Sequence, residues 1–155
     1  MMKAARAIRG LQVTSPAQSS LEHALANFVE GVEPAHGIQL RIFVLGKPRA
    51  LNPAIQNQLF LIGREALINA LRHSEATKIE VEIQYLRNLL CILVRDNGCG
   101  INPEAILSTG DSHSGLRGMC ERAGNIGARL GVWSRVRAGT EVRVTVPVDV
   151  VKAPA

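Results

Sequence analysis

REALINALRHSEATKIEV, residues 64–81, is the stretch on which the fold turns. It reads as the second half of a helix, a short turn and the start of a strand. Glu65, Asn69 and His73 lie four residues apart in the helical part. At about 100° per residue, their side chains project within about 80° of one another and span roughly 12 Å. Ala66, Leu67, Ile68, Ala70 and Leu71 make the rest of the helix apolar enough to bury. A polar ladder on such a helix is costly unless something pairs with it.

The helix extends back to Asn52-Pro53, an N-cap followed by a proline at the first helical position, and forward to about His73. Lys78 to Leu86 alternates as a strand, and Leu89 to Arg95 is a nearly continuous apolar run. The break at Arg87-Asn88 makes the two a hairpin, and the second strand is expected to be buried on both faces. Upstream, Pro16 to Glu30 reads as a helix ended by Gly31, with Leu21, Leu25, Phe28 and Val29 on one stripe. Gly37 to Leu45 alternates as a strand. Downstream, Gly115 to Ile126 reads as a helix with a glycine-rich start. Ala128 to Ser134 and Thr140 to Val148 read as strands around a turn at Arg137-Ala138-Gly139. Residues 1–14 are basic and helix-compatible, and 151–155 are a tail. The sum is an α+β fold: a two-layer α/β sandwich, with a mixed, mainly antiparallel five-stranded sheet and about three helices on one face.

The 155 residues suffice for one domain with a core, and 46% apolar content argues against disorder. A net charge of +5 raises the question of a polyanion, but the basic residues are scattered and aromatics are only 3%, so no nucleic-acid stripe forms. Cys91, Cys99 and Cys120 are odd in number and form no CxxC pair, which points to reduced thiols in a cytoplasmic setting and away from a zinc site. No apolar run is long enough to cross a bilayer, so direct membrane contact is not expected.

Three motifs carry candidate chemistry. In the ladder, an amide oxygen at Asn69 suits a Mg²⁺ that keeps waters and also binds phosphate. Glu65 can accept a proton or orient a nucleophile, and Arg72 and His73 can touch phosphate oxygens. The alternative is an ordinary polar helix edge. In DNGCGI (residues 96–101), Asp96 follows a buried strand and the glycines at 98 and 100 would let a flat ring approach the backbone. The same letters also spell an ordinary turn. In GLRGM (residues 115–119), free N–H groups at a helix start suit phosphate, though a lone GxxG is common.

Taken together, order and spacing are specific. The sequence resembles the ATP-binding domain of sensor histidine kinases, in the gyrase, heat-shock-chaperone and histidine-kinase ATPase superfamily with the Bergerat fold. It is most similar to the subfamily with a short lid and an REALxNxxRH signature. The resemblance covers roughly Leu21 to Val148. REALINALRHSEATKIEV is similar to the family's N box, DNGCGI to its G1 box, GLRGMCERA to its G2 box and GTEVRVTVP to its final strand.

The resemblance implies roles residue by residue. Glu65 and Asn69 would be catalytic, Glu65 as acid/base near the γ-phosphate and Asn69 as ligand of the Mg²⁺ that bridges the phosphates. Arg72 and His73 would contact phosphate. Asp96 would accept from the adenine amine, with Gly98 and Gly100 shaping the pocket and Thr140 supporting Asp96 through water. Gly115, Leu116 and Gly118 would form the phosphate side of the lid, residues 101–114. ATP and Mg²⁺ are the implied cofactors. His23 lies inside the domain's own first helix and reads as surface, not as the phosphoacceptor. Residues 1–14 are therefore expected to be the remnant of an upstream dimerisation helix or linker, 15–150 the ATP-binding catalytic domain and 151–155 a tail.

The implied function is the catalytic domain of a two-component kinase, inactive alone and monomeric. Its implied partners are a histidine-bearing dimerisation domain of the same parent and a downstream response regulator. Its place is cytoplasmic, with a membrane-anchored parent allowed. Two other readings stand beside it. One is a degenerate nucleotide-binding regulatory module, against which the intact Glu65, Asn69, Asp96 and glycine set speaks. The other is an anti-sigma-type serine kinase of the same fold, which the GLRGMCERA helix disfavours.

Overall fold

A computed structural model describes residues 5–7, 20–32, 37–73, 75–101 and 114–151. The elements, in chain order, are β1 (Ala5–Ala7), α1 (Leu21–Gly31), β2 (Gln39–Leu45), α2 (Pro53–His73), β3 (Lys78–Tyr85), β4 (Leu89–Asp96), α3 (Ser114–Asn125), β5 (Arg129–Arg135), β6 (Gly139–Pro147) and a short α4 (Val148–Val151). The strands form one sheet in the order β1-β2-β3-β4-β6-β5. The β2–β3 pair is parallel, and the other described pairs are antiparallel.

The expected sandwich is present, with the hairpin, the long helix and the closing strand pair where the sequence puts them. Two details differ. Ala5–Ala7 adds a sixth strand at the edge, inside the stretch read as helix-compatible. The first described helix begins at Leu21 behind a Ser20 cap, whose hydroxyl accepts from the His23 N–H at 3.4 Å. His23 is half-buried and its Nδ1 lies 2.5 Å from Ser20 Oγ, so it belongs to the cap rather than to a bare surface.

Strand alternation decides the layers. Ile79, Val81, Ile83 and Tyr85 of β3 are buried towards the helices, with Ile92 and Val94 of β4 and Val142, Val144 and Val146 of β6 beside them. Helix α2 lays Leu59, Ile62, Ala66, Leu67 and Ala70 on this face, spaced three and four apart as a helical stripe requires. Leu21 and Leu25 of α1 and Met119 and Ala123 of α3 complete the core.

On the opposite face of the sheet, Leu93 is only 2% exposed. Its cross-strand neighbours are Glu82 and Arg143. Arg95 bridges Glu141 at 3.0 Å and Glu82 at 3.9 Å, and Arg143 meets Glu141 at 3.2 Å. Each pair contributes little by itself.

A buried polar link fastens the first helix to the far end of the sheet. The Tyr85 hydroxyl donates to Glu22 Oε2 at 2.5 Å, with both residues buried. Burial, then the bond to Glu22 and its charge, push the Tyr85 phenol far above its ordinary value, while the Arg49 charge pulls the other way.

Candidate functional site

Helix α2 is set by its cap. Asn52 Oδ1 accepts from the Ala54 N–H at 2.9 Å, and the Asn52 carbonyl accepts from Gln56. From there the helix runs unbroken through the ladder. Glu65 and Asn69 are half-buried, Arg72 is exposed and His73 closes the helix, its side chain outside the described residues. The ladder thus lies where the apolar stripe gives way to polar surface.

The start of α3 packs on this edge. A Cβ built on Gly115 would fall 2.3 Å from Glu65 Oε1, far inside contact distance, so a glycine there is what leaves room for the carboxylate. Glu65, Gly115 and Gly118 line a recess of about 330 Å³ with Leu61, Arg64, Met119 and Arg122. Arg122 is held over it by Gln58 Oε1 at 3.1 Å. Leu116 packs half-buried against the core. A Cβ at Gly118 would meet nothing within 4 Å, so packing among the described residues does not dictate that glycine. The expected lid falls mostly on residues 102–113, outside the described residues.

Asp96 stands at the other half of the site. Across the sheet, Ile79, Asp96, Thr140 and Ser134 are consecutive register partners on β3, β4, β6 and β5. They occupy the pleat after Val81, Val94, Val142 and Val132, on the helix-facing side. The apolar face therefore ends in a polar row. Burial raises the Asp96 carboxyl above the ordinary aspartate range, while N–H bonds from Gly98 and Thr140 pull it down. The Gly98 N–H reaches Asp96 Oδ1 at 2.9 Å. Thr140 faces Asp96 as its register partner on β6.

Loop 97–101 is stitched on both sides. Asn97 Oδ1 accepts from the N–H groups of Thr77 and Lys78 at 3.0 and 2.9 Å, and its Nδ2 donates to Thr77 Oγ1 at 2.9 Å. The Arg137 N–H donates to the Cys99 carbonyl at 2.7 Å. Gly100, at φ +73°, and Gly139, at φ +97°, are required by close approach: a Cβ would lie 2.2 Å from the Arg135 carbonyl oxygen or 2.0 Å from that of Asp96. Because Thr77 and Lys78 follow α2, Asn97 ties the end of the ladder helix to the strand end that bears Asp96.

Sequence reasoning singled out neither Asn97 nor Ser134. Asn97 was visible only as a turn letter, and Ser134 as the last residue of a strand. Among the described residues no cluster of three His, Cys, Asp or Glu side chains forms a ready metal cage. The oxygen donors at the ladder are Asn69 and Glu65.

The model of histidine kinase-, DNA gyrase B- and HSP90-like ATPases matches residues 54–150, which include the ladder, the Asp96 loop and the start of α3. The chain belongs to this ATPase family. Among curated relatives, the nitrate/nitrite sensor protein NarX of Escherichia coli is 35% identical over 135 residues, 87% of this chain and 22% of NarX. The sensor protein VraS of Staphylococcus haemolyticus is 38% identical over 95 residues, 61% of this chain and 26% of VraS. The chain thus spans 22–26% of the length of these relatives. Among solved structures, the blue-light activated histidine kinase of Erythrobacter litoralis superposes with a TM-score of 0.70 at 19% identity, covering 83% of this chain and 42% of that one. The ATP-binding domain of PrrB from Mycobacterium tuberculosis gives 0.59 at 17% identity, covering 88% and 96%. The fold of this ATPase family is therefore shared with histidine kinases. Among the described residues no helix is long and apolar enough to cross a membrane.

Proposed function

We propose that the chain is the ATP-binding catalytic domain of a two-component sensor histidine kinase. It holds Mg²⁺·ATP for phosphoryl transfer to a histidine on a separate dimerisation domain, and the phosphoryl group then passes to a response regulator. The parent places this domain in the cytoplasm. Residues 15–150 are the catalytic unit, and 1–14 and 151–155 its flanks. The observation that carries the reading is the polar row ending the helix-facing sheet. Asp96 there is an acceptor whose Oδ1 is held by the Gly98 N–H, tied through Asn97 to the end of the Glu65–Asn69 helix.

In this reading Asp96 accepts from the adenine amine and stays ionised to do so. Gly98 and Gly100 let the ring approach the backbone, and Thr140 holds the carboxylate. Asn69 gives its amide oxygen to Mg²⁺. Among the described residues the Asn69 side chain has no hydrogen-bond partner. One amide oxygen without a cage suits an ion that keeps waters and takes phosphate oxygens. Held there by Asn69, such an ion would supply neutralisation of the charge that develops on the phosphates. Glu65 orients the incoming nucleophile and takes its proton. Arg72 and His73 contact phosphate oxygens, and the first turn of α3, with Gly115, Leu116 and Gly118, closes on the phosphates. Catalysis is then positioning and charge neutralisation, and the domain alone turns over little because the acceptor lies elsewhere.

Calorimetric titration with a non-hydrolysable ATP analogue, with and without Mg²⁺ and against GTP, tests the reading. Mg²⁺-dependent binding with adenine preference is expected. Asp96→Asn should lose about tenfold or more in affinity, since a donor replaces an acceptor, and Asn69→Ala should lose the Mg²⁺ response. Absence of binding at millimolar nucleotide would refute the reading, and unchanged affinity in Asp96→Asn would refute the adenine contact.

A further inference from the structure

The Ser134 hydroxyl is the meeting point of the polar row. Its Oγ accepts from the Ile101 N–H at 2.6 Å, lies 2.9 Å from Thr140 Oγ1 and donates to the Gly139 carbonyl at 3.3 Å. A serine hydroxyl has one proton and two lone pairs. The Gly139 carbonyl can only accept, so the contact with it engages the Ser134 proton. The Ile101 N–H can only donate, so it takes one lone pair. With the Ser134 proton on the Gly139 carbonyl, the remaining lone pair faces Thr140, and in this arrangement the bond between the two hydroxyls runs from Thr140 to Ser134. With its proton engaged, Thr140 Oγ1 has only lone pairs left for the space beside Asp96. Thr140 and Asp96 are register partners, so the row presents two acceptors side by side.

We propose that Ser134 is a specificity-determining positioning residue: by holding the Thr140 proton, it makes Thr140 acceptor-only towards the base and biases the pocket to a 6-amino purine over a 6-oxo purine. The proposal rests on the reading of this site as a nucleotide pocket. A free threonine hydroxyl would rotate and donate to a 6-oxo group, partly offsetting the repulsion from Asp96. A threonine clamped by Ser134 does not. The same serine holds the N–H of Ile101, the last described residue before 102–113, so base recognition and the root of that segment share one hydroxyl.

The test compares ATP with inosine triphosphate, which differs on the 6-position edge of the base, by calorimetry on the 155-residue chain. Wild type is expected to prefer ATP. In Ser134→Ala the ATP-to-inosine ratio should fall about tenfold, the worth of one well-formed hydrogen bond. Thr140→Val should lower the ratio similarly, and the double variant should lower it no further, because both act through one proton. Ser134→Thr restores the hydroxyl and should restore the ratio. If Ser134→Ala does not fold, Thr140→Val and Ser134→Thr carry the test by the same ratio. A ratio within about twofold of wild type in Ser134→Ala or Thr140→Val, or additive losses in the double variant, would overturn the proposal while leaving the nucleotide reading intact. Failure of wild type to bind ATP at all would overturn both.

Discussion

Removing the Tyr85 hydroxyl is the sharpest test of how the fold is fastened. In Tyr85→Phe the ring stays and one bond goes. Glu22 and Tyr85 are 7% and 6% exposed, so water has little access to replace the lost donor. A hydrogen bond to a charged group is worth about 1.5–3 kcal/mol, and an orphaned buried acceptor costs its full desolvation. Arg49 acts on the same pair, but its guanidinium is exposed and donates to the Leu86 carbonyl. It offsets part of the loss, and the expected cost is about 2 kcal/mol. With a urea slope of about 2 kcal/mol/M, the unfolding midpoint should drop by about 1 M. The asymmetry of buried polar groups adds a second expectation. Glu22→Leu with Tyr85→Phe removes both partners and should recover most of the loss, because nothing is then left unpaired. Urea titration followed by circular dichroism reads both. A midpoint within about 0.2 M of wild type in the single variant, or a double variant less stable than the single, would refute the reasoning.

Other outcomes follow from the site. Gly139→Ala puts a Cβ 2.0 Å from the Asp96 carbonyl oxygen at φ +97°, where only backbone could yield; it should cost about 3 kcal/mol or more, and near-native stability by urea titration would contradict the close approach. Gly115→Ala meets only the tip of a flexible side chain, so stability should change by less than about 1 kcal/mol. In the proposed parent kinase the displaced Glu65 should nevertheless cut autophosphorylation by about a hundredfold, and an unchanged rate would remove Glu65 from the proposed chemistry. Asp96 carries a pH signature. Its folded carboxyl is raised, so the native state holds the proton more tightly than the unfolded chain; its stabilising effect is present at low pH and is lost as pH rises from the ordinary aspartate value, about 3.9, through the raised one. Ionisation is needed to accept from the amine, so adenosine affinity should fall on acidification starting above the ordinary value, and flatten in Asp96→Asn. A fall only below about pH 3.9 in wild type would show an unperturbed group.

Much of the fold is legible because its signals are local. Asn52 and Pro53 announce the start of α2 by a cap and a fixed φ, and the alternation of β3 reads directly as one buried face. The continuous apolar run of β4 correctly implies burial on both sides. The face that bears Leu93, however, carries a charge network drawn from three strands, and no window of sequence contains it. Ala5–Ala7 is too short to show a period. Ser134 was invisible for a related reason. Its partners lie 33, 5 and 6 residues away, so the bonds exist only after β5, β6 and the Asp96 loop have met. The candidate residues were readable as a set of chemical types in order. Their hydrogen-bond directions were not, because those depend on neighbours that the tertiary fold supplies.

The parallel pairing of β2 with β3 has a consequence for how the molecule assembles. Parallel neighbours cannot be joined by a tight turn, and here the crossover is α2 itself, 21 residues long. The central sheet therefore cannot zip from β2 to β3 until the ladder helix has formed and docked, which makes this closure the high-contact-order step of folding. Local opening that released α2 would also strip β2 from the sheet. The carboxylate–amide edge of the helix and the Asp96 end of the strand thus belong to one cooperative unit. Native-state hydrogen exchange should show their amides opening together, near the global unfolding free energy.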